Sequence, residues 1–296
     1  MTPEISIIIP TINRYDDLKN TLNDLSKQSF KNYEILIIDQ TVKEMAQEII
    51  FEKTRYFLET FKSASKARNL GLKLAKAPII LFLDDDVIIN NNNFIQSHLD
   101  HFKDEKASGV AGAILNLNQK WTSTLPKKAN KKYLGWIYTP RNYDKPIKIC
   151  DGGAGNLAVR KDWAIAVGGM DENYDKGAYR EESDFCLRYT QKYGDLNYDP
   201  KAFLVHIGNP SGGTRSWSNS NGIIHARQHM FGAWYFMFNI LPIACWPEYS
   251  YLTIRRFIIH KKLISRFYFL PKALFNFSHA FFQAIITKVK GPKCIS

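Results

Sequence analysis

Ile79-Ile80-Leu81-Phe82-Leu83 runs straight into Asp84-Asp85-Asp86. Five apolar residues, preceded by Pro78 and with no turn residue before the acids, read as a strand buried on both faces. The carboxylates then stand at its C-terminal end, where open α/β sheets place their ligands. Three adjacent negative charges repel one another and require a positive partner. A divalent cation is the economical one, because hard cations take oxygen ligands. The competing reading of the same residues is a solvated acidic loop after a core strand.

Upstream, Ile5-Ser6-Ile7-Ile8-Ile9-Pro10 predicts an opening strand stopped by proline. Asp16 to Ser26 places Leu18, Leu22 and Leu25 at helical spacing, and Tyr33 to Ile38 is a second buried strand ending at Asp39. Strand–helix–strand with such apolar strands is the pattern of a parallel, doubly wound sheet. A weaker strand is expected over Thr54 to Phe57, and a helix through Ala67, Leu70 and Leu74. Downstream, a helix is expected over Phe94 to Phe102 and a strand over Val110 to Leu115. Lys120 to Lys148, polar, aromatic and proline-punctuated, reads as a long, partly mobile excursion. Asp151-Gly152-Gly153-Ala154-Gly155-Asn156 is dense in glycine, which lets backbone approach a ligand closely. It does not open a helix as G-x-G-x-x-G does, which argues against a dinucleotide site. Short and long helices are expected over Asp162 to Val167 and Glu181 to Tyr193. A last strand, Ala202 to Val205, leads into His206.

The chain has 296 residues, 45% of them apolar, and a formal charge of +12. Its first fifteen residues lack a basic region followed by an apolar one, so no secretory leader is expected. Cys150, Cys186, Cys245 and Cys294 form no C-x-x-C pair, which suggests neither a zinc site nor a disulfide framework and suits a reducing cytoplasm. From residue 221 onward there are ten Lys and Arg against one acid, Glu248. Three quarters of the excess charge therefore lies in the last quarter of the chain. Aromatic residues crowd from Phe231 to Phe238, and again around Arg255-Arg256, Lys261-Lys262 and Arg266-Phe267-Tyr268-Phe269. Rings interleaved with cations are what interfacial helices present to anionic headgroups. The apolar run is close to spanning length but is broken by Gly232, Asn239, Pro242 and Pro247. The expected organisation is a catalytic region over 1–220 and a basic, aromatic helical extension over 221–296. The extension is expected to hold the protein at the inner face of the cell membrane. A solvated nucleic-acid groove is disfavoured, because the rings are too densely apolar.

Several further pieces fall in a particular order: Pro10-Thr11 with Arg14, Asp39, Ala67-Arg68-Asn69-Leu70-Gly71, and the D-x-D of Asp84 to Asp86. They continue with Gly155-Asn156-Leu157-Ala158-Val159-Arg160, Gly168-Gly169-Met170-Asp171-Glu172, Glu181-Glu182-Ser183-Asp184, and His206 with Ser211. From about Ser6 to Ser216 this resembles a family 2 glycosyltransferase, similar to bacterial surface-polysaccharide and lipopolysaccharide enzymes. The resemblance implies a GT-A, Rossmann-like α/β fold: a mixed, mostly parallel sheet flanked by helices, here with a C-terminal amphipathic extension. It implies inverting transfer from a nucleotide-diphosphate sugar to a hydroxyl of a glycolipid or polysaccharide acceptor, with Mn²⁺ or Mg²⁺. Asp86, Asp84 and His206 would hold the metal. Pro10, Thr11, Arg14, Asp39, Arg68, Asp84 and Asp85 would meet the donor nucleotide. Gly153, Gly155, Asn156 and Asp184 would meet substrate, and Glu182 or Glu181 would be the general base. Asp184 also stands four residues before Arg188, the spacing of a helix-surface ion pair. Gln40 follows Asp39 where the family often has a second Asp. A nucleotidyltransferase and a non-catalytic, membrane-docked binding module are the rival readings.

Overall fold

The computed structural model describes residues 2–125, 134–175, 179–209, 213, 227–259 and 261–295. The strands are β1 (Ile5–Thr11), β2 (Tyr33–Asp39), β3 (Thr54–Leu58), β4 (Ile79–Leu83), β5 (Val87–Ile88), β6 (Gly109–Asn116), β7 (Ile147–Ile149), β8 (Asn156–Arg160) and β9 (Leu196–His206). They form one mixed sheet in the order β3-β2-β1-β4-β8-β6-β9-β5, with β7 paired to β9. The run β3-β2-β1-β4 is parallel throughout, as is β6 beside β9. Between them β8 runs antiparallel to both β4 and β6.

The alternation of β1, β2 and β4 explains why their apolar runs are unbroken. Ile7, Ile9, Ile35, Ile37, Leu81 and Leu83 point to one layer, and Ile8, Leu36, Ile38, Ile80 and Phe82 to the other. Successive strand side chains face opposite sides, so a strand covered on both faces has no polar positions to spare. The first layer is closed by α1 (Tyr15–Ser26) and α3 (Phe94–His101) through Leu18, Leu22, Leu25, Phe94 and Ile95. The second is closed by α2 (Ala64–Leu74), α4 (Lys161–Ala166) and α5 (Glu181–Tyr193), through Ala67, Leu72, Ala164, Phe185 and Tyr189. Gly71 of α2 lies so close to Ile8 that a Cβ there would overlap its side chain, so this helix meets the sheet at glycine distance.

The strands β5, β8 and β9 depart from the sequence reading. β8 grows directly out of the glycine-rich segment, β5 is only two residues long, and the last strand begins six residues earlier than expected. The excursion is also more ordered than its composition suggests. Trp136 and Tyr143 are buried, and Thr122 bridges to Tyr143. Residues 126–133 lie outside the described residues.

The C-terminal helices are α6 (Arg227–Ile240), α7 (Trp246–Phe257), α8 (Lys261–Ile264) and α9 (Leu270–Lys290). Here one expectation is corrected. Phe231, Trp234, Tyr235 and Phe236 of α6 are buried against protein, in a cluster with Trp136, Tyr249 and Phe257. A Cβ on Gly232 would strike the backbone of Tyr179, so the helix presses directly on that segment. Each such side chain removed from water contributes roughly 1.5–3 kcal/mol, which makes α6 an internal helix rather than a lipid-facing one. Most of the exposed apolar side chains of these helices stand instead on α8, α9 and the turn between them, among them Ile264, Phe267, Tyr268, Phe275, Phe282 and Val289. Among the described residues no helix is long and apolar enough to cross a membrane. The boundary expected at residue 220 lies outside the described residues.

Candidate active site

The acids after β4 are held apart by different partners. Asp85 turns inward and is buried. It accepts from Thr11 Oγ1 at 2.7 Å and from Arg14 Nη1 at 3.1 Å. Burial pushes its carboxyl up to about 7 against the pull of Arg14. Arg14 also meets Asp86 Oδ2 at 3.1 Å and donates to the Asn209 carbonyl at 3.0 Å. Thr11 and Arg14, expected against the nucleotide, brace the acidic turn and also line the cavity beside it.

β5 accounts for the next contact. Val87 pairs with His206 and Ile88 with Val205, antiparallel. The backbone N–H of Ile207 donates to the Asp86 carbonyl at 2.9 Å. His206 Nε2 thereby reaches to 3.3 Å from Asp86 Oδ1. Asp84, the most exposed of the three acids, completes a group in which one ligand atom each from Asp84, Asp86 and His206 lies within 4.8 Å of the others. Two carboxylates and an imidazole are a donor set suited to Mn²⁺ or Mg²⁺. Asp84 has room because residue 155 is glycine: a Cβ there would overlap the Asp84 carboxylate.

Opposite stand Glu181 and Glu182, in the first turn of α5, where the helix dipole favours negative charge. Arg68, almost wholly buried, spans the gap, with Nη2 3.2 Å from Asp84 and 3.4 Å from Glu182 Oε1. Its Nε and Nη1 are buried without a hydrogen-bond partner. Burial, reinforced by the charge of Glu182, raises the Glu181 carboxyl to about 8. Near neutrality Glu181 is thereby held toward its protonated form. All five carboxyls line one cavity of about 150 Å³, together with Thr11, Arg14, Gln40 and Arg68.

Three expected site residues are placed elsewhere. Asn156 is fully buried. Its amide donates to the Ala113 and Ala202 carbonyls, and its Oδ1 bonds His98 Nε2. Asn156 thus ties β8 to β6 and β9, and its side chain lines no cavity described here. Asp184 accepts from Arg188 Nε at 2.7 Å, from Tyr174 Oη and from Asn239 Nδ2. It is the helix ion pair that its spacing suggested. Asp39 is buried. Its Oδ2 accepts from Tyr15 and Tyr56 hydroxyls at 2.7 and 2.6 Å, and its Oδ1 from the Thr41 N–H. Gln40, its neighbour, is the one that lines the cavity, and its Oε1 accepts from the N–H of Ser63, the N-cap of α2. Two motif pieces also bind each other: Asn69 exchanges two hydrogen bonds with the backbone of Met170. Ser211 lies outside the described residues.

Sequence reasoning missed a second cavity, of about 280 Å³, beside Arg141. Arg141 joins the two, with Nη2 3.9 Å from Glu182 Oε2. Gly153 lines this second cavity and packs against the Arg141 guanidinium, which a Cβ there would displace.

A mixed α/β sheet with Asp, Asp and His gathered at its strand ends, facing a carboxylate pair, defines the GT-A class of glycosyltransferase. Within that class the chain belongs to glycosyl transferase family 2, whose profile matches residues 6–168. It is 27% identical over 246 residues to an uncharacterised glycosyltransferase of Haemophilus influenzae, covering 76% of each chain. Over 96 residues, 29% of each chain, it is 32% identical to the poly(ribitol-phosphate) β-N-acetylglucosaminyltransferase TarP of Staphylococcus aureus. It spans less than a third of that protein's length. The crystal structure of S. aureus TarS (1–349) superposes with a TM-score of 0.56 at 15% identity, over 94% of this chain and 81% of that one. That likeness is one of fold.

Proposed function

We propose that this glycosyltransferase moves a sugar from a nucleotide diphosphate to an acceptor hydroxyl with inversion at the anomeric carbon. The observation that carries the reading is the placement of Asp84, Asp86 and His206 across a single cavity from Glu181 and Glu182. The acceptor oxygen attacks the anomeric carbon as the bond from that carbon to the diphosphate oxygen breaks. The bonding pair leaves with the diphosphate, and the acceptor's proton goes to a carboxylate. A direct displacement of this kind inverts the centre.

Glu182 is the base in this reading. It stands between the two cavities, and Arg68 and Arg141 flank it as cations. Glu181, holding its proton, donates a hydrogen bond instead. A positioned base of this kind is typically worth ~10²–10⁴ in rate. When bound by Asp84, Asp86 and His206, a divalent cation would neutralise charge on the leaving diphosphate. Arg68 adds a fixed cation beside the same site. Pro10, Thr11 and Gln40 form the wall for the nucleotide, and Asp39 reads the base once Tyr15 or Tyr56 yields its place. Gly153 and Gly155 act by absence, giving room to Arg141 and Asp84. The nucleotide-sugar donor is supported by the crystal structure of TarS with UDP, which shares the fold at a TM-score of 0.51 and 17% identity.

The C-terminal helices rest on an anionic membrane at the cytoplasmic face in this reading. Phe267, Tyr268, Phe275 and Phe282 are each more than 60% exposed, on elements that also carry Arg266, Lys272, Lys288 and Lys290. Exposed rings beside cations complement acyl chains beneath negative headgroups. The Campylobacter jejuni relative, 29% identical over 92 residues, is named as acting on a GalNAc(5)-diNAcBac-PP-undecaprenol acceptor, and a lipid-linked acceptor accords with such a location.

The test is a donor screen with Mn²⁺, Mg²⁺ or EDTA, reading the products released. Nucleoside diphosphate appearing only with a divalent ion is the expected result. Released pyrophosphate would point instead to nucleotidyl transfer, and no turnover with any nucleotide sugar would refute the reading.

A further inference from the structure

The second cavity differs in charge from the first. Arg141, Arg180 and Arg256 line it against one carboxylate, Asp151. Among the described residues, neither Arg180 nor Arg256 has a carboxylate within 4 Å. Arg180 sits at the N-cap of α5, immediately before Glu181, with φ at +81°. A non-glycine residue held in the left-handed region is a strain that surrounding structure must over-determine. Here that structure is aromatic. The guanidinium lies 4.6 Å from the Tyr179 ring, 5.3 Å from Trp136 and 5.8 Å from Phe236. Its Nε is buried and has no hydrogen-bond partner, and neither does Asp151 Oδ1. Arg256 reaches in from α7 and stacks over Tyr179 at 4.5 Å. Ring faces stabilise a cation but offer no acceptor for its N–H groups. A buried donor without an acceptor is costly, and the oxygens of an anion would satisfy it.

We infer that this cavity takes a phosphate group belonging to the acceptor, a phosphate ester or diphosphate gripped by Arg180 and Arg256, with an acceptor hydroxyl on Asp151. The inference rests on the transferase reading and deepens it. Planar guanidiniums match phosphate oxygens two at a time, as an ammonium cannot. Glu182, joined to this cavity through Arg141, faces the acceptor from one side and the acidic cavity from the other. Arg256 comes from the same helical extension that carries the exposed rings, so a lipid-linked diphosphate and a soluble polyol phosphate both remain sources of the same chemistry.

The test is calorimetric titration of inorganic pyrophosphate into the full chain in EDTA, where the metal trio cannot recruit the anion. Saturable, single-site binding is expected. Arg180→Gln and Arg256→Gln should each weaken it about tenfold, since one charge-assisted hydrogen bond to phosphate is worth roughly 1.5–3 kcal/mol. Arg255→Gln, one residue away on α7, removes the same charge and should leave the affinity within twofold. Arg180→Lys, with circular dichroism to check folding, should recover only part of the loss. Equal affinity in all variants, or loss on Arg68→Gln alone, would overturn the assignment. Competition then separates the sources: displacement by farnesyl diphosphate supports a lipid-linked acceptor, and displacement by glycerol 3-phosphate a polyol phosphate. Displacement by neither overturns the assignment of that phosphate to the acceptor. If pyrophosphate binds through Arg180 and Arg256 while the donor screen finds no turnover, the anion site stands and its acceptor role falls.

Discussion

The two cavities linked through Glu182 and Arg141 are built from opposite charges. The first gathers five carboxyls around Arg14 and Arg68, and the second gathers three guanidiniums around Asp151. In the first, the acids are sorted: Asp85 is braced by Thr11 and Arg14, while Asp84, Asp86 and His206 point together. In the second, Arg180 and Arg256 are held against ring faces, and the buried Nε of Arg180 has no acceptor. Like charges packed this closely repel one another, and in the proposed reading each cavity relieves that repulsion by taking a ligand of opposite sign. Glu182 lines the first and is linked to the second through Arg141. It is the residue that a proton-transferring group between donor and acceptor should be.

The comparison breaks most visibly if the acidic side can be emptied without consequence. Asp86→Ala removes the most buried member of the metal trio and should lower turnover about 10⁴-fold, the several kcal/mol that a bound cation supplies. Activity within tenfold of wild type would show that the cavity works without this ligand. Glu182→Gln keeps size and hydrogen bonding but cannot accept the proton. Its expected loss is about 10³-fold in kcat, with little change in KM for the donor. Wild-type kcat would move the base to Glu181.

How much of this was readable beforehand depended on whether a feature is local. The parallel strands declared themselves because burial on both faces leaves only apolar residues, and Asp84, Asp86, His206 and Glu182 stand at element ends that such strands define. β5 and β8 did not. Two residues carry no period, and Asn156 to Arg160 follows glycines that read equally well as a loop. Asn156 and Asp184 belong to motifs yet serve the fold, because a buried polar group must be fully hydrogen-bonded wherever it sits. Arg14 and Arg141 were legible as charges but not as partners. Their roles depend on residues 71 and 41 positions away, Asp85 and Glu182. α6 was misread for a related reason. An aromatic run without charge is equally at home in lipid or in protein, and only the packing of Gly232 on Tyr179 decides between them.

A smaller effect tests which way the basic cavity faces. Replacing Phe267, Phe275 and Phe282 together by Ser should cut partitioning onto anionic vesicles by tenfold or more in sedimentation, while leaving the thermal midpoint within a few degrees. All three side chains are more than 60% exposed and so contribute little to the core. Unchanged partitioning would detach the extension, and with it Arg256, from a lipid-side role.

The smallest effect concerns the carboxyl that keeps its proton. Glu181 is raised from 4.5 to about 8, by burial first and by the charge of Glu182 second. Between those values the native chain holds a proton that the unfolded chain has released. Stability contributed by this group is therefore highest below pH 4.5 and falls as pH rises toward 8. Glu181→Gln removes the titration. In EDTA its unfolding free energy in urea should match wild type near pH 4.5 and exceed it near pH 8.5, by on the order of 1 kcal/mol once solvent screening of this partly exposed side chain is allowed for. A variant with the same slope of stability against pH as wild type would show that Glu181 is not the protonated member of the pair. The division of labour with Glu182, on which the meeting of the two cavities depends, would then have to be reversed.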